Sequence, residues 1–251
     1  MIGSVRIELA TVDSTNKHAA DLLRLTEVQH GTVILAHEQT QGRGQRDRSW
    51  HSEPGLDLTF SVVLRPAGLA AGHQFVLAQF AALAVRDALL RSGLQDVQVK
   101  WPNDVLVGPR KVAGILIQNE LQGGLVRHAV VGIGLNVNQE ASDFAGELAE
   151  SATSLQLATG KPWPADELLN DVVEHYRAGY QVLLEGGVEK LRQQYLALDS
   201  TVGRAVQVEA PDGAWSGRAA TVDEHGALWV EDAAGDARKI IVGDISIRVE
   251  A

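Results

Sequence analysis

Residues 75–90 constrain the fold most. Apolar side chains and alanines fall on nearly every side of a 3.6-residue period there, leaving no polar face for water. Such a helix must be covered by a sheet and by other helices. Strand patterns suited to that task occur at 5–10, 32–38, 56–64, 97–101, 105–107, 111–121 and 125–137, with Gly123-Gly124 marking a hairpin between the last two. Residues 17–25 carry the stripe Ala19, Ala20, Leu22, Leu23 after a Ser14-Thr15 N-cap signal, and further helices are expected at 165–184 and 188–196. These patterns predict an α+β fold, a mixed β-sheet flanked by helices. Past Asp199 the pattern becomes short β pieces broken by turns at Pro211-Asp212-Gly213, Asp223-Glu224-His225-Gly226 and Asp232-Ala233-Ala234-Gly235. Five short strands in so few residues predict a small C-terminal SH3-like β-barrel, dividing the chain into domains 1–199 and 200–251.

Composition narrows the function. The absence of cysteine excludes thiol nucleophiles, thiolate metal sites and disulfides, and fits a cytoplasmic location. No apolar run reaches the length of a membrane span, and no signal peptide opens the chain. A net charge of −10 is a poor match for a nucleic-acid backbone, so neither nucleic acid nor membrane is expected as a partner. The eight histidines have no ligand spacing, and no metal site is expected from the side chains.

Against that acidic background, Gly42-Arg43-Gly44-Gln45-Arg46-Asp47-Arg48-Ser49-Trp50 concentrates cations among glycines. Glycine permits close backbone approach to a ligand, and the arginine fork suits carboxylate and phosphate oxygens. Asp47 stands where a dinucleotide fingerprint needs its third glycine, and no Gly-Lys-Ser/Thr ending makes a Walker loop. The loop is therefore suited to a small anion. A second cluster, Lys100-Trp101-Pro102-Asn103-Asp104, places a point charge at a strand end before a sharp turn.

Together these segments resemble the signature motifs of biotin protein ligases, in the short form without an N-terminal DNA-binding domain. Gly42, Arg43, Gly44, Gln45 and Trp50 fall on that family's glycine-arginine loop, with Gln45 in place of the commoner arginine and Asp47 in place of glycine. The Lys100–Asp104 run matches without substitution, and Lys111-Val112-Ala113-Gly114-Ile115-Leu116 and Gly132-Ile133-Gly134-Leu135-Asn136 resemble two further family strands. The resemblance implies a class II aminoacyl-tRNA synthetase-like catalytic fold and ATP-dependent ligation of biotin, through biotinyl-5′-AMP, to a lysine of a biotin carboxyl carrier protein. ATP with Mg²⁺ is the implied co-substrate. Implied biotin contacts are Ser14, Thr15, Asn16, Gln39, Gly42, Arg43, Trp50, Lys100 and Gly114. Implied nucleotide contacts are Arg43, Gly44, Gln45, Arg48, Trp50, Asn103, Lys100 and Asn136, and implied catalytic residues are Lys100, Arg43, Arg48 and Asp104. Trp163 reads as a core residue at a helix entry, and Arg248 as a nucleotide contact or a strand cap. A lipoate or octanoate ligase and a non-catalytic biotin sensor are the alternatives, and either a monomer or a homodimer fits.

Overall fold

The structure, a computed structural model, describes residues 1–45, 48–210, 213–241 and 244–247. Arg46, Asp47 and Arg248, singled out above, lie outside the described residues. The first part of the chain forms β1 (Arg6–Leu9), α1 (Thr15–Leu25), β2 (Val33–Ala36), β3 (Asp57–Leu64), α2 (Val76–Arg91), β4 (Val97–Lys100) and β5 (Asp104–Val107). The long hairpin β6 (Arg110–Gln122) and β7 (Leu125–Asn136) follows, then two short helices, α3 (Leu148–Ser151) and α4 (Leu155–Thr159), that sequence periodicity did not indicate. The longer helices α5 (Ala165–Leu184) and α6 (Val188–Leu196) complete this part. The last strands are β8 (Ala205–Ala210), β9 (Gly213–Val222), β10 (Leu228–Glu231), β11 (Ala237–Ile240) and β12 (Asp244–Ile247).

Strands β1 to β7 make one mixed sheet in the order β1-β2-β3-β7-β6-β5-β4. The β1–β2 pair is parallel and the other neighbours are antiparallel. Because strand side chains alternate between faces, the sheet has two different sides. Phe60, Val62 and Leu64 of β3 and Val131, Ile133 and Leu135 of β7 join the main core with α2, α5 and α6. The other side packs Ile34, Val63 and Val130 against Ala19 of α1. Helix α2 is buried along most of its length, as its composition required, and Phe80 meets Tyr176 of α5 edge-on at 4.7 Å.

Helix α1 starts two residues earlier than its apolar stripe indicated. Its first amide, Thr15 N–H, donates to Gln39 Oε1 at 2.8 Å, so a side chain from another segment supplies the cap. Ser14 occupies the N-cap position without a side-chain capping bond, contrary to expectation.

The C-terminal unit is a five-stranded antiparallel sheet in the order β11-β10-β9-β8-β12. Its core is small: Val206, Val208, Ala219, Val222, Leu228 and Val230 gather around Trp101, which arrives from the first unit and is 1% exposed. The Trp101 indole N–H donates to the Gly226 carbonyl at 2.9 Å. Gly226 has φ +83° and sits hard against Phe75, where a Cβ would collide with the ring.

A carboxyl group is buried at the start of one strand of the main sheet. Asp57 opens β3, accepts from Glu53 N–H at 2.6 Å and from the Gln139 side-chain amide, and burial pushes its carboxyl up to about 7.

Two stability predictions follow from this packing. Gly226→Ala meets both the left-handed backbone penalty and the Phe75 ring, and should cost about 3 kcal/mol or more. Gly235→Ala has a similar positive φ with open space around it, and should cost only about 1–2 kcal/mol. Urea midpoints of the two variants check the difference. For Asp57, the folded pKa lies above the unfolded one, so the native state holds more protons between about pH 4 and 7. This group's contribution to stability is therefore greatest at the acid end and falls as pH rises through that window, by an upper limit of about 4 kcal/mol. Asp57→Asn should flatten the stability curve over that range; a slope equal to wild type would refute the assignment.

Candidate active site

The alternation that buries Val131, Ile133 and Leu135 on one face of β7 leaves Gly132, Gly134 and Asn136 on the other. Gly114 of β6, paired with Gly134, lies on the same face. A patch of sheet almost free of side chains thus becomes the floor of a cavity of about 750 Å³. A Cβ at Gly132 would collide with the Asn16 side chain, and one at Gly134 with the Trp50 indole.

The cavity lining includes a linked set of uncharged hydrogen-bonding groups. Thr15 donates to Gln39 Oε1 through both its amide, at 2.8 Å, and its hydroxyl, at 3.1 Å. Asn16 Nδ2 donates to the Leu116 carbonyl at 3.1 Å. Behind them, fully buried Ser61 places its hydroxyl 2.7 Å from both Thr15 Oγ1 and Asn16 Oδ1. Sequence reasoning missed Ser61. Its signal was a small hydroxyl, two residues after Thr59, at a position of β3 that alternation turns toward α1.

The same cavity has four cations, Arg43, Arg48, Lys100 and Lys111, in its lining. Arg43 is held by a small antiparallel arrangement: it bridges Ser49, Trp50 N–H donates to Gly42 O at 2.9 Å, and Gly44 N–H to Arg48 O at 2.6 Å. Lys100 ends β4 and Asp104 begins β5, so the turn between them presents both to the cavity. Burial holds the Lys100 ammonium below its usual range, with Lys111 adding to the effect and the carboxylates of Asp104 and Asp199 opposing it. Lys111 Nζ pairs with Asp104 Oδ1 at 2.6 Å and lies 5.6 Å from the Trp50 ring centre. Lys111 belongs to a motif read from sequence, yet its place among the pocket cations was not anticipated.

Ser14, Thr15, Asn16, Gln39, Arg43, Gly44, Gln45, Arg48, Trp50, Lys100, Asn103, Asp104, Gly114 and Asn136 all line this one cavity. Gly42 stands behind the wall, packed against Trp50 O, where a side chain would not fit. Asn103 and Asn136 are tied to the scaffold: Asn103 Nδ2 donates to Ile115 O at 2.6 Å, and Asn136 Nδ2 to Thr153 O at 2.9 Å. Trp163 is a core residue, as expected. It is 9% exposed, with its indole N–H on Thr159 Oγ1.

Residues 8–136 match the biotin/lipoate A/B protein ligase family, and residues 201–248 match the biotin protein ligase C terminal domain. The chain is 36% identical to the biotin–[acetyl-CoA-carboxylase] ligase of Paracoccus denitrificans, over 90% of this chain and 94% of that one. It is 31% identical to the bifunctional ligase/repressor BirA of Bacillus subtilis, over 94% of this chain and 72% of that one. The solved structure of biotin protein ligase from Aquifex aeolicus in complex with biotin and ATP superposes with a TM-score of 0.81, covering 98% of this chain and 100% of that one at 29% identity. This chain belongs to the biotin/lipoate A/B protein ligase family.

Proposed function

We propose that this protein ligates biotin, through biotinyl-5′-AMP, to a lysine of a biotin carboxyl carrier protein. The observation that carries this reading is the lining of the cavity. Uncharged donors and acceptors on Thr15, Asn16 and Gln39 share one glycine-floored cavity with the four cations Arg43, Arg48, Lys100 and Lys111. Biotin has the matching combination, a ureido ring at one end and a carboxylate at the other. A lipoyl or octanoyl chain has no ureido ring to exchange hydrogen bonds with these groups, and a site built to hydrogen-bond a ligand discriminates strongly on that basis.

In the first step the biotin carboxylate oxygen attacks the α-phosphorus of ATP, and pyrophosphate leaves. Both reactants are anions, so catalysis consists of holding them together and neutralising the charge that builds up, the role assigned to Arg43, Arg48, Lys100 and Lys111. In the second step a lysine amine attacks the acyl carbon and AMP leaves. Asp104 is the carboxylate placed to orient that amine or take its proton. Among the described residues no three carboxylate or histidine side chains gather to hold a metal. The pocket acids Asp104, Glu147 and Glu209 fit the usual handling of Mg²⁺, which rides on nucleotide phosphates with one or two protein carboxylates and water. Gly44, Gln45, Asn103 and Asn136 are assigned to the nucleotide, and the two units are taken as domains 1–199 and 200–251, the second a small SH3-like barrel. No helix among the described residues is long and apolar enough to cross a membrane, and a cytoplasmic location is part of this reading.

Mass spectrometry tests it directly. A carrier domain incubated with biotin, Mg-ATP and this protein should gain the mass of a biotinyl group, biotin less one water, and gain nothing when lipoate replaces biotin. A gain with lipoate alone would overturn the substrate, and no gain with either would overturn the activity. Lys100→Ala should slow pyrophosphate release by about 10²–10³-fold, the usual scale for losing one preorganised donor; a rate within about twofold of wild type would remove Lys100 from the mechanism. Gly132→Ala should weaken biotin binding at least about tenfold by displacing Asn16, which calorimetry can measure with ATP absent.

A further inference from the structure

Lys100 is anchored through its two chain neighbours, and both are held by the segment joining the sheet to the C-terminal unit. Ser200 N–H donates to Val99 O at 2.8 Å and Val99 N–H to Leu198 O at 3.4 Å, forming a short parallel bridge beside β4. On the other side of Lys100, the Trp101 N–H is shared between Asp199 Oδ2 at 2.8 Å and Thr201 Oγ1 at 3.1 Å. The second oxygen of Asp199 accepts from Thr201 N–H and Val202 N–H, each at 2.8 Å. The Trp101 indole is buried in the C-terminal core and bonded to Gly226 O. The lysine therefore projects into the cavity from a backbone frame that the second unit holds.

Three amide donors converging on one side chain demand an acceptor at both of its ends. A carboxylate provides that, whereas an asparagine must turn its NH₂ toward one donor or the other. Burial pushes the Asp199 carboxyl up from its ordinary range, and the converging N–H groups pull it back. Such an arrangement is more than a loop needs merely to cross between units. It lies one residue from the cation assigned to charge neutralisation, where a displacement of about 1 Å is enough to cost about 10²-fold in rate.

We propose that Asp199 is a positioning residue for acid activation, setting the place of Lys100 by clamping Trp101 and thereby making the first step depend on docking of the C-terminal unit. This rests on the assignment of Lys100 given above. Among the described residues no hydrogen bond joins Thr15, Asn16 or Gln39 to the clamp, so biotin affinity and activation rate should separate.

The test uses the full chain with Asp199→Asn, Thr201→Val and Lys100→Ala in parallel. Readouts are pyrophosphate release, KM for biotin, transfer from synthetic biotinyl-5′-AMP to a carrier domain, and melting temperature. Asp199→Asn should lower kcat for pyrophosphate release about tenfold or more, while KM for biotin stays within about twofold and transfer within about threefold. Its alkaline limb should also move to lower pH. The groups facing Lys100 are Asp104, Asp199 and Lys111, with the Tyr195 hydroxyl, held high by burial, beside Asp199; losing the Asp199 charge makes Lys100 easier to deprotonate. Wild-type kinetics and pH profile, or an equal fall in both steps that tracks melting temperature, would overturn the proposal. If Asp199→Asn does not fold, Thr201→Val decides, with an expected fall of about threefold in the first step alone. Lys100→Ala separates the two levels: unimpaired activation there defeats the assignment of Lys100 itself, whereas its inactivity beside a normal Asp199→Asn defeats only the clamp.

Discussion

Everything at this site depends on β6 and β7 being two different surfaces. Toward α2 they present Ile115, Val131, Ile133 and Leu135, which lie in the main core. Toward the cavity they present Gly114, Gly132 and Gly134, and backbone becomes floor. A one-residue slip in register would exchange these faces, filling the cavity with branched side chains and placing glycine under α2. The ten paired positions between these strands, with a single irregularity at Glu120/Leu121 far from the floor, hold that register. The almost wholly buried α2 is its counterpart on the other side, because a side chain pushed through the sheet would have no space to enter.

The second dependency is electrostatic. The chain carries ten more acidic than basic side chains, yet the cavity collects Arg43, Arg48, Lys100 and Lys111 in its lining. Like charges gathered this way destabilise the empty protein, and the structure offsets part of that by pairing Lys111 with Asp104 at 2.6 Å. Burial holds the Lys100 ammonium below its usual range. An incoming anion relieves these costs, so the binding of an anionic ligand is favoured by strain already present in the free site.

Much of this was legible in sequence because it rests on local patterns. The hairpin around Gly123-Gly124, the helices α5 and α6 and the enclosed α2 all follow from periodicity and turn chemistry, and the loop and lysine motifs brought their residues to one cavity. What was not legible depends on partners distant in the chain. Gln39 caps α1 from 24 residues away, which is why the helix begins earlier than its apolar stripe. Ser61 is one of two hydroxyls in β3, with Thr59, and nothing local says that alternation will aim it at Thr15 and Asn16. The helices α3 and α4 are too short for periodicity to register. Asn103 and Asn136 were read as ligand contacts, while the geometry also gives each a carbonyl to hold. Their polar side chains serve the scaffold whether or not they meet a nucleotide.

Trp101 shows how a motif residue can serve two structures at once. In the sequence it looks like part of a turn beside a functional lysine. In the fold it is the largest side chain of the other unit's core, whose remaining members are Val206, Val208, Ala219, Val222, Leu228 and Val230. A buried tryptophan withdraws roughly 150–250 Å² from water, worth about 4–6 kcal/mol, a large share for so small a sheet. Removing it would cost the C-terminal unit its centre. Exposing it would leave an indole at the edge of the active-site turn. Neither unit is therefore complete without the other, and the residue that joins them is adjacent to Lys100. A C-terminal sheet that contributes little side-chain chemistry to the cavity can still govern that chemistry, because it fixes the backbone from which the lysine extends.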